Sequence, residues 1–119
     1  MENKEFAKKL EDRTLKFGVT ILKFSEQLPV GLEANVVRNQ LSKSGTSVGA
    51  NYHEANRARS RVDFANKVKI SESEASETVY WLKVVCEMNW ISLNKLEPIL
   101  KEANELLAIL TSIGKNLKL

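Results

Sequence analysis

Leu96-Glu97-Pro98-Ile99-Leu100-Lys101-Glu102-Ala103-Asn104-Glu105-Leu106-Leu107-Ala108-Ile109-Leu110-Thr111-Ser112-Ile113 carries the pattern from which the fold is read. Leu96, Ala103 and Leu110 recur every seven residues and Leu117 keeps the register, with Ile99, Leu106 and Ile113 as partners. A seven-residue apolar repeat makes a single seam along a helix and favours near-antiparallel bundle packing. The spacing predicts a helix from about Asn94 to Ile113 or beyond. Asn94 and Glu97 stand at capping-box spacing, which would put Pro98 in the first turn, where its missing N–H is harmless.

The same period extends towards the N-terminus. Ser60, or Val62-Asp63, opens a helix that reaches about Asn89, with Phe64, Val68, Ala75, Val79, Leu82 and Cys86 on one face and Trp81, Val85 and Met88 on another. A second helix spans about Leu32 to Arg57, marked by Val37, Leu41, Val48, Tyr52 and Ala55. Its middle is a run of small residues, Ser42 to Ala50, with Gly45 and Gly49 four apart on one face. Each interior glycine costs roughly 1 kcal/mol against alanine. Either a neighbouring helix approaches the backbone there and offsets that cost, or a loop divides the helix; the apolar period favours the continuous helix. The first helix runs from about Asn3 to Gln27 through Phe6, Leu10, Phe17, Ile21 and Phe24. Leu15, Val19 and Leu22 form a second stripe, and Leu28-Pro29-Val30-Gly31 stops it. Two prolines, five glycines and no alternating β-branched run leave strands without a signal. The reading is all-α: an antiparallel up-down-up-down four-helix bundle in one domain, residues 1–119.

Composition excludes several classes. With 43% hydrophobic and 28% charged residues the chain is not disordered. No apolar run is long enough to span a membrane, and Met1-Glu2-Asn3-Lys4-Glu5 is charged where a signal peptide would be apolar. A single cysteine, Cys86, permits neither an internal disulfide nor a multi-cysteine zinc site, so a reducing, cytoplasmic setting is expected. Cys86 itself reads as a buried, inert thiol. The single histidine, His53, adjoins Glu54, but neighbours in a helix point about 100° apart and form no dyad. The Glu-x-x-His of carboxylate-bridged bundles is missing. Ser44-Gly45-Thr46-Ser47-Val48-Gly49 lacks the lysine that ends a nucleotide-binding loop. No enzyme, cofactor or metal is expected.

Charge is the remaining signal. The net charge is +3, but residues 38–69 hold seven basic side chains, Arg38, Lys43, Arg57, Arg59, Arg61, Lys67 and Lys69, against Glu54 and Asp63. The preceding residues balance and the following ones are slightly acidic. A cationic middle third points to an anionic partner, with phosphates bound irrespective of sequence. The alternative is a solvated face partly neutralised by Glu54 and Asp63.

The segment Lys43-Ser44-Gly45-Thr46-Ser47-Val48-Gly49-Ala50-Asn51-Tyr52-His53-Glu54-Ala55, followed by Asp63-Phe64, Lys67, Glu74-Ala75, Glu77-Thr78 and Tyr80-Trp81-Leu82, closely resembles a bacterial four-helix-bundle family. Its first members are encoded by intervening sequences in 23S ribosomal RNA genes. The chain is also similar to the accessory variability determinant of diversity-generating retroelements. The resemblance implies a ring or barrel, usually a homopentamer, without enzymatic activity or cofactor. Its retroelement branch implies nucleic-acid binding and a reverse-transcriptase partner. This chain departs in having His53 where arginine is frequent, and Ser73 and Ser76 where basic residues occur, so its third helix is less basic. In such a ring, Gly45, Gly49, Tyr52 and Trp81 are the expected packing positions. Glu54, Asp63, Glu74 and Glu77 are the expected structural acids, pairing with Arg57, Lys67 or Lys69 within or between subunits.

Two functions follow as expectations. One is an oligomeric scaffold that contacts RNA or DNA phosphates through Arg38, Lys43, Arg57, Arg59, Arg61, Lys67 and Lys69. The other is a protein-interaction subunit that uses surplus apolar surface at Leu15, Val19, Trp81 and Val85.

Overall fold

Local sequence makes four helices, and the computed structural model, which describes residues 4–117, places them as α1 (Lys4–Ser25), α2 (Leu32–Ala55), α3 (Arg61–Glu87) and α4 (Leu93–Lys115). The expected start of the first helix at Asn3 lies outside the described residues. Helix α1 ends at Ser25, two residues before Gln27. The connection then turns through Gly31, whose φ of 141° suits a residue without a Cβ. Helix α2 is continuous through Gly45 and Gly49, so the loop alternative is not adopted. Ser60 caps α3 by accepting the Asp63 backbone N–H at 3.0 Å. Helix α3 stops at Glu87 because Asn89 takes a left-handed conformation (φ 57°). The Asn89 and Trp90 N–H groups then turn back to the carbonyls of Cys86 and Val85.

The start of α4 differs from expectation. The Lys95 and Leu96 N–H groups both reach the Ser92 carbonyl at 3.1 Å, so the helix begins at Leu93 and the Asn94–Glu97 capping box does not form. Pro98 is therefore the sixth helical residue and leaves the Asn94 carbonyl without its helical donor. Asn94 is exposed, so water can serve that carbonyl.

The four helices pack as a bundle 44 × 24 × 20 Å, α1 on α2, α2 on α3, α3 on α4 and α4 on α1. The heptad seam of α4 faces inward: Leu96, Ala103, Leu106 and Leu110 are buried, and Ile99 and Ile113 pack against them. Helix α2 lies between α1 and α3, which is why its sequence lacks one dominant apolar face. Towards α1 it presents glycine. A Cβ on Gly45 would stand 2.6 Å from Ile21 Cγ2, and one on Gly49 would stand 3.0 Å from the Thr14 carbonyl oxygen. Within the chain, the close neighbour that these glycines admit is α1. Towards α3 it presents hydroxyl and carbonyl groups. Ser71 donates to the Val48 carbonyl at 2.7 Å, and the Ser44 and Thr78 hydroxyls meet at 2.9 Å. The small, polar first half of α3 thus serves a close helix crossing with its buried hydroxyls paired. Tyr52 is fully buried beside this crossing.

Arg13 ties α1 to α4. Its guanidinium donates twice to Glu102, at 2.7 and 2.6 Å, and once to Glu105 at 2.9 Å. Those carboxylates, Glu102 foremost, hold it charged beyond its ordinary range. Among the described residues no helix is long and apolar enough to cross a membrane.

Candidate nucleic-acid interface

The seven basic residues singled out from sequence do not form one surface. Arg38 is structural. Its Nε donates to the Ser25 carbonyl at 3.0 Å, and its Nη2 to the carbonyls of Leu28 and Pro29 at 2.6 and 3.0 Å. Its Nη1 also donates to the Asn35 side chain. It closes the C-terminal end of α1 and is not free for a phosphate. Arg57 is partly committed: Nη1 donates to Glu11 Oε1 at 3.1 Å and to the His53 carbonyl at 2.9 Å. Lys43 is exposed midway along α2, near Glu74 of α3.

The other four gather where α2 passes into α3. Arg59 and Arg61 are exposed in the turn and at the first residue of α3, with Lys69 exposed and Lys67 half-buried on the next turns. Among the described residues none of these four closes an ion pair. Two neighbouring arginines and two lysines, all unpaired, make an electropositive bundle end.

The acidic residues read as ion-pair partners behave differently. Within the chain, Glu54, Asp63, Glu74 and Glu77 form no ion pair with Arg57, Lys67 or Lys69. Glu77 instead accepts from the Trp81 indole N–H at 3.1 Å, and Trp81 stands edge-to-face with Tyr80. Glu74 is half-buried, and its pKa is raised by desolvation first and by Glu77 second, with Lys43 only partly opposing. A carboxyl with a raised folded-state pKa contributes stability below its unfolded pKa and loses it as pH rises through the folded value. Glu74→Gln should therefore raise the melting temperature at pH 7 by about 1–4 °C, with the advantage vanishing below about pH 4. Thermal melts of the two proteins across pH 3.5–7 check this; an ion-paired Glu74 would give the opposite sign.

The Glu11 cluster has no signature in sequence. From α1 this carboxylate meets His53 Nδ1 at 2.7 Å, Asn56 Nδ2 at 2.9 Å and Arg57 Nη1 at 3.1 Å. The Asn56 hydrogen bond foremost, with His53 and Arg57, holds Glu11 below the usual carboxylate range although partial burial opposes it. Its partners lie more than 40 positions away in sequence, so only the docking of α1 on α2 reveals them. The same end carries an open cleft of about 410 Å³ whose walls include Lys4, Lys8 and Arg57 and whose floor includes Ala55 and Phe64. Lys4 and Lys8 belong to a segment of balanced charge and gave no signal in sequence.

The apolar surplus is narrower than expected. Val85 is fully buried and Trp81 packs against the core, whereas Leu15 (66% exposed) and Val19 stand out beside Leu22. These three rim a groove of about 490 Å³ floored by Gly18, Thr46, Gly49 and Ala50. Cys86, expected to be buried, is only half-buried, packing against the core from its edge.

A crystal structure of a protein of unknown function from the S23 ribosomal protein family of Bacteroides thetaiotaomicron VPI-5482 is similar, at 38% identity and a TM-score of 0.83. The match covers 89% of this chain and 98% of that one. No curated protein matches. The family described as 23S rRNA-intervening sequence protein matches residues 4–112. That span takes in all of α1, α2 and α3 and most of α4, and the chain belongs to the family of 23S rRNA-intervening sequence proteins.

Proposed function

We propose that the protein is a non-enzymatic, nucleic-acid-associated scaffold: a cytoplasmic ring-like homo-oligomer, a pentamer by its resemblance, that holds RNA or DNA by phosphate contacts. The observation that carries this reading is the unpaired cluster Arg59, Arg61, Lys67 and Lys69 at one end of the bundle. An up-down-up-down course supports it by bringing the turn and the first residues of α1 to one end. That course is in turn supported by cross-helix pairs that run in opposite sequence order, Ser44 with Thr78 and Val48 with Ser71. In a ring, several such ends around one axis would sum their fields. The resemblance to the accessory variability determinant makes a reverse transcriptase the candidate protein partner.

The test is a titration with mixed-sequence RNA and duplex DNA at low and near-physiological salt, with light scattering for mass. The expected result is an oligomer whose affinity falls steeply with salt and shows little sequence preference. Arg59→Ala with Arg61→Ala should flatten the log–log salt slope on duplex DNA by about 1.8, the value for two lost phosphate contacts. An unchanged slope overturns the assignment. A second reading, a subunit that binds only protein, is favoured by the Leu15–Val19–Leu22 groove. An oligomer that binds no nucleic acid even at low salt would select it.

A further inference from the structure

Three side-chain donors converge on one carboxylate at the end of α2. His53 Nδ1, Asn56 Nδ2 and Arg57 Nη1 all point to Glu11, with distances of 2.7–3.1 Å. They come from one short segment, the last turn of α2 and the two residues that follow it, whereas their acceptor comes from a different helix. Imidazole, amide and guanidinium are the donor types that hold phosphate oxygens, and a guanidinium exchanges a carboxylate for a phosphate with little change of geometry. The donors are open to solvent, with the side chains of His53 and Arg57 49% and 56% exposed against 21% for Glu11. Nε and Nη2 of Arg57 have no partner among the described residues, so the arginine keeps capacity for a second oxygen.

The surroundings favour an anion larger than one carboxylate. Lys4 and Lys8 share the wall of the cleft with Arg57 and Glu11, giving three cations against one acid. Lys8 makes only an exposed contact of 3.4 Å with Asp12, which faces the neighbouring groove with Glu11 and His53. Glu11 thus offsets about one charge in a cleft that remains cationic without further help. The unpaired cluster at Arg59 and Arg61 continues from the same turn.

We infer that His53, Asn56 and Arg57 form a phosphate subsite which the chain's own Glu11 occupies in the free protein, as an internal competitor that a nucleic-acid phosphate must displace. This rests on the nucleic-acid reading for its natural ligand. It adds a site and a brake: Glu11 keeps binding weak until several phosphates engage the bundle end together.

The experiment compares the full chain with Glu11→Gln, with Glu11→Gln/Arg57→Ala and with Lys4→Ala/Lys8→Ala, using fluorescent mixed-sequence RNA and, separately, inorganic tripolyphosphate. Circular dichroism and light scattering establish that each variant keeps its helix content and mass. Glu11→Gln should bind RNA roughly fivefold tighter at low salt, the effect of removing one like charge close to a phosphate at a protein surface. Its salt slope should steepen by about 0.7, one single-strand phosphate contact. Adding Arg57→Ala should cancel the gain, and Lys4→Ala/Lys8→Ala, whose side chains are exposed and play no part in the core, should weaken binding. A folded Glu11→Gln with unchanged affinity and slope overturns the subsite. If Glu11→Gln loses its fold, the lysine pair decides, because unaltered RNA binding there overturns the cleft as a phosphate site. If neither wild type nor Glu11→Gln binds RNA, the nucleic-acid reading fails and tripolyphosphate decides the subsite. A larger rise in melting temperature with tripolyphosphate for Glu11→Gln than for wild type upholds it, and an equal rise overturns it.

Discussion

Gly45→Ala is expected to destabilise the protein, by up to about 2 kcal/mol, although alanine is the better helix former. The added Cβ would lie 2.6 Å from Ile21 Cγ2 and 2.9 Å from two further carbons of that side chain. Ile21 is fully buried, so it has no free space to move into. Overpacking of this kind costs about 1–3 kcal/mol, and the gain in helix propensity, about 1 kcal/mol, offsets only part of it. Gly45→Val should cost more, because a branched Cβ adds two carbons at the same point. Urea unfolding reads both as a lower midpoint at unchanged slope. Gly18→Ala is the control with the opposite sign. Its Cβ would meet the Thr46 Cα at 3.5 Å, an ordinary contact, so the variant should gain about 0.5–1 kcal/mol. Equal effects at the two positions would mean that the α1–α2 crossing is looser than described.

The second large effect belongs to Arg38. Arg38→Ala removes the donors of three carbonyls, those of Ser25, Leu28 and Pro29, at the point where α1 ends. Ser25 and Leu28 are buried, so water replaces those donors poorly. Hydrogen bonds from a charged donor contribute about 1.5–3 kcal/mol each when counted singly, and neighbours sharing one side chain are not additive. A loss of about 2–3 kcal/mol is expected. Arg38→Lys should recover little of it, because one ammonium cannot span the fork of acceptors that a guanidinium reaches. Nucleic-acid affinity, measured on the folded fraction, should stay within twofold of wild type. A tenfold loss of binding with intact stability would return Arg38 to the phosphate-contacting set.

These two residues show where sequence reading succeeds and where it stops. The small segment of α2 was legible as a place of close helix approach, because two glycines inside a helical period need a reason. Which helix approaches was not legible: α1, α3 and a second subunit satisfy the pattern equally until Ile21 and Thr14 are seen against Gly45 and Gly49. Arg38 was legible as a cation in a basic region. Its role depends on three carbonyls 9 to 13 positions earlier that face it only after the chain turns at Gly31. The Asn94–Glu97 spacing suggested a cap that the Ser92 carbonyl forestalls by starting α4 earlier.

The sequence by itself determined four helices, their order, the inward seam of α4 and the cationic turn between α2 and α3. These are properties of period and local charge, decided within a few residues of one another. The tertiary structure alone decided that Gly45 and Gly49 serve α1 and that Arg38 closes the first helix. It alone decided that Glu74 closes no ion pair among the described residues of the chain, and that Glu11 meets His53, Asn56 and Arg57 across the bundle. Those facts depend on the depth and register at which one helix settles on another. A shift of one helical turn, about 5.4 Å, would exchange every such partner while leaving the apolar pattern of each helix unchanged.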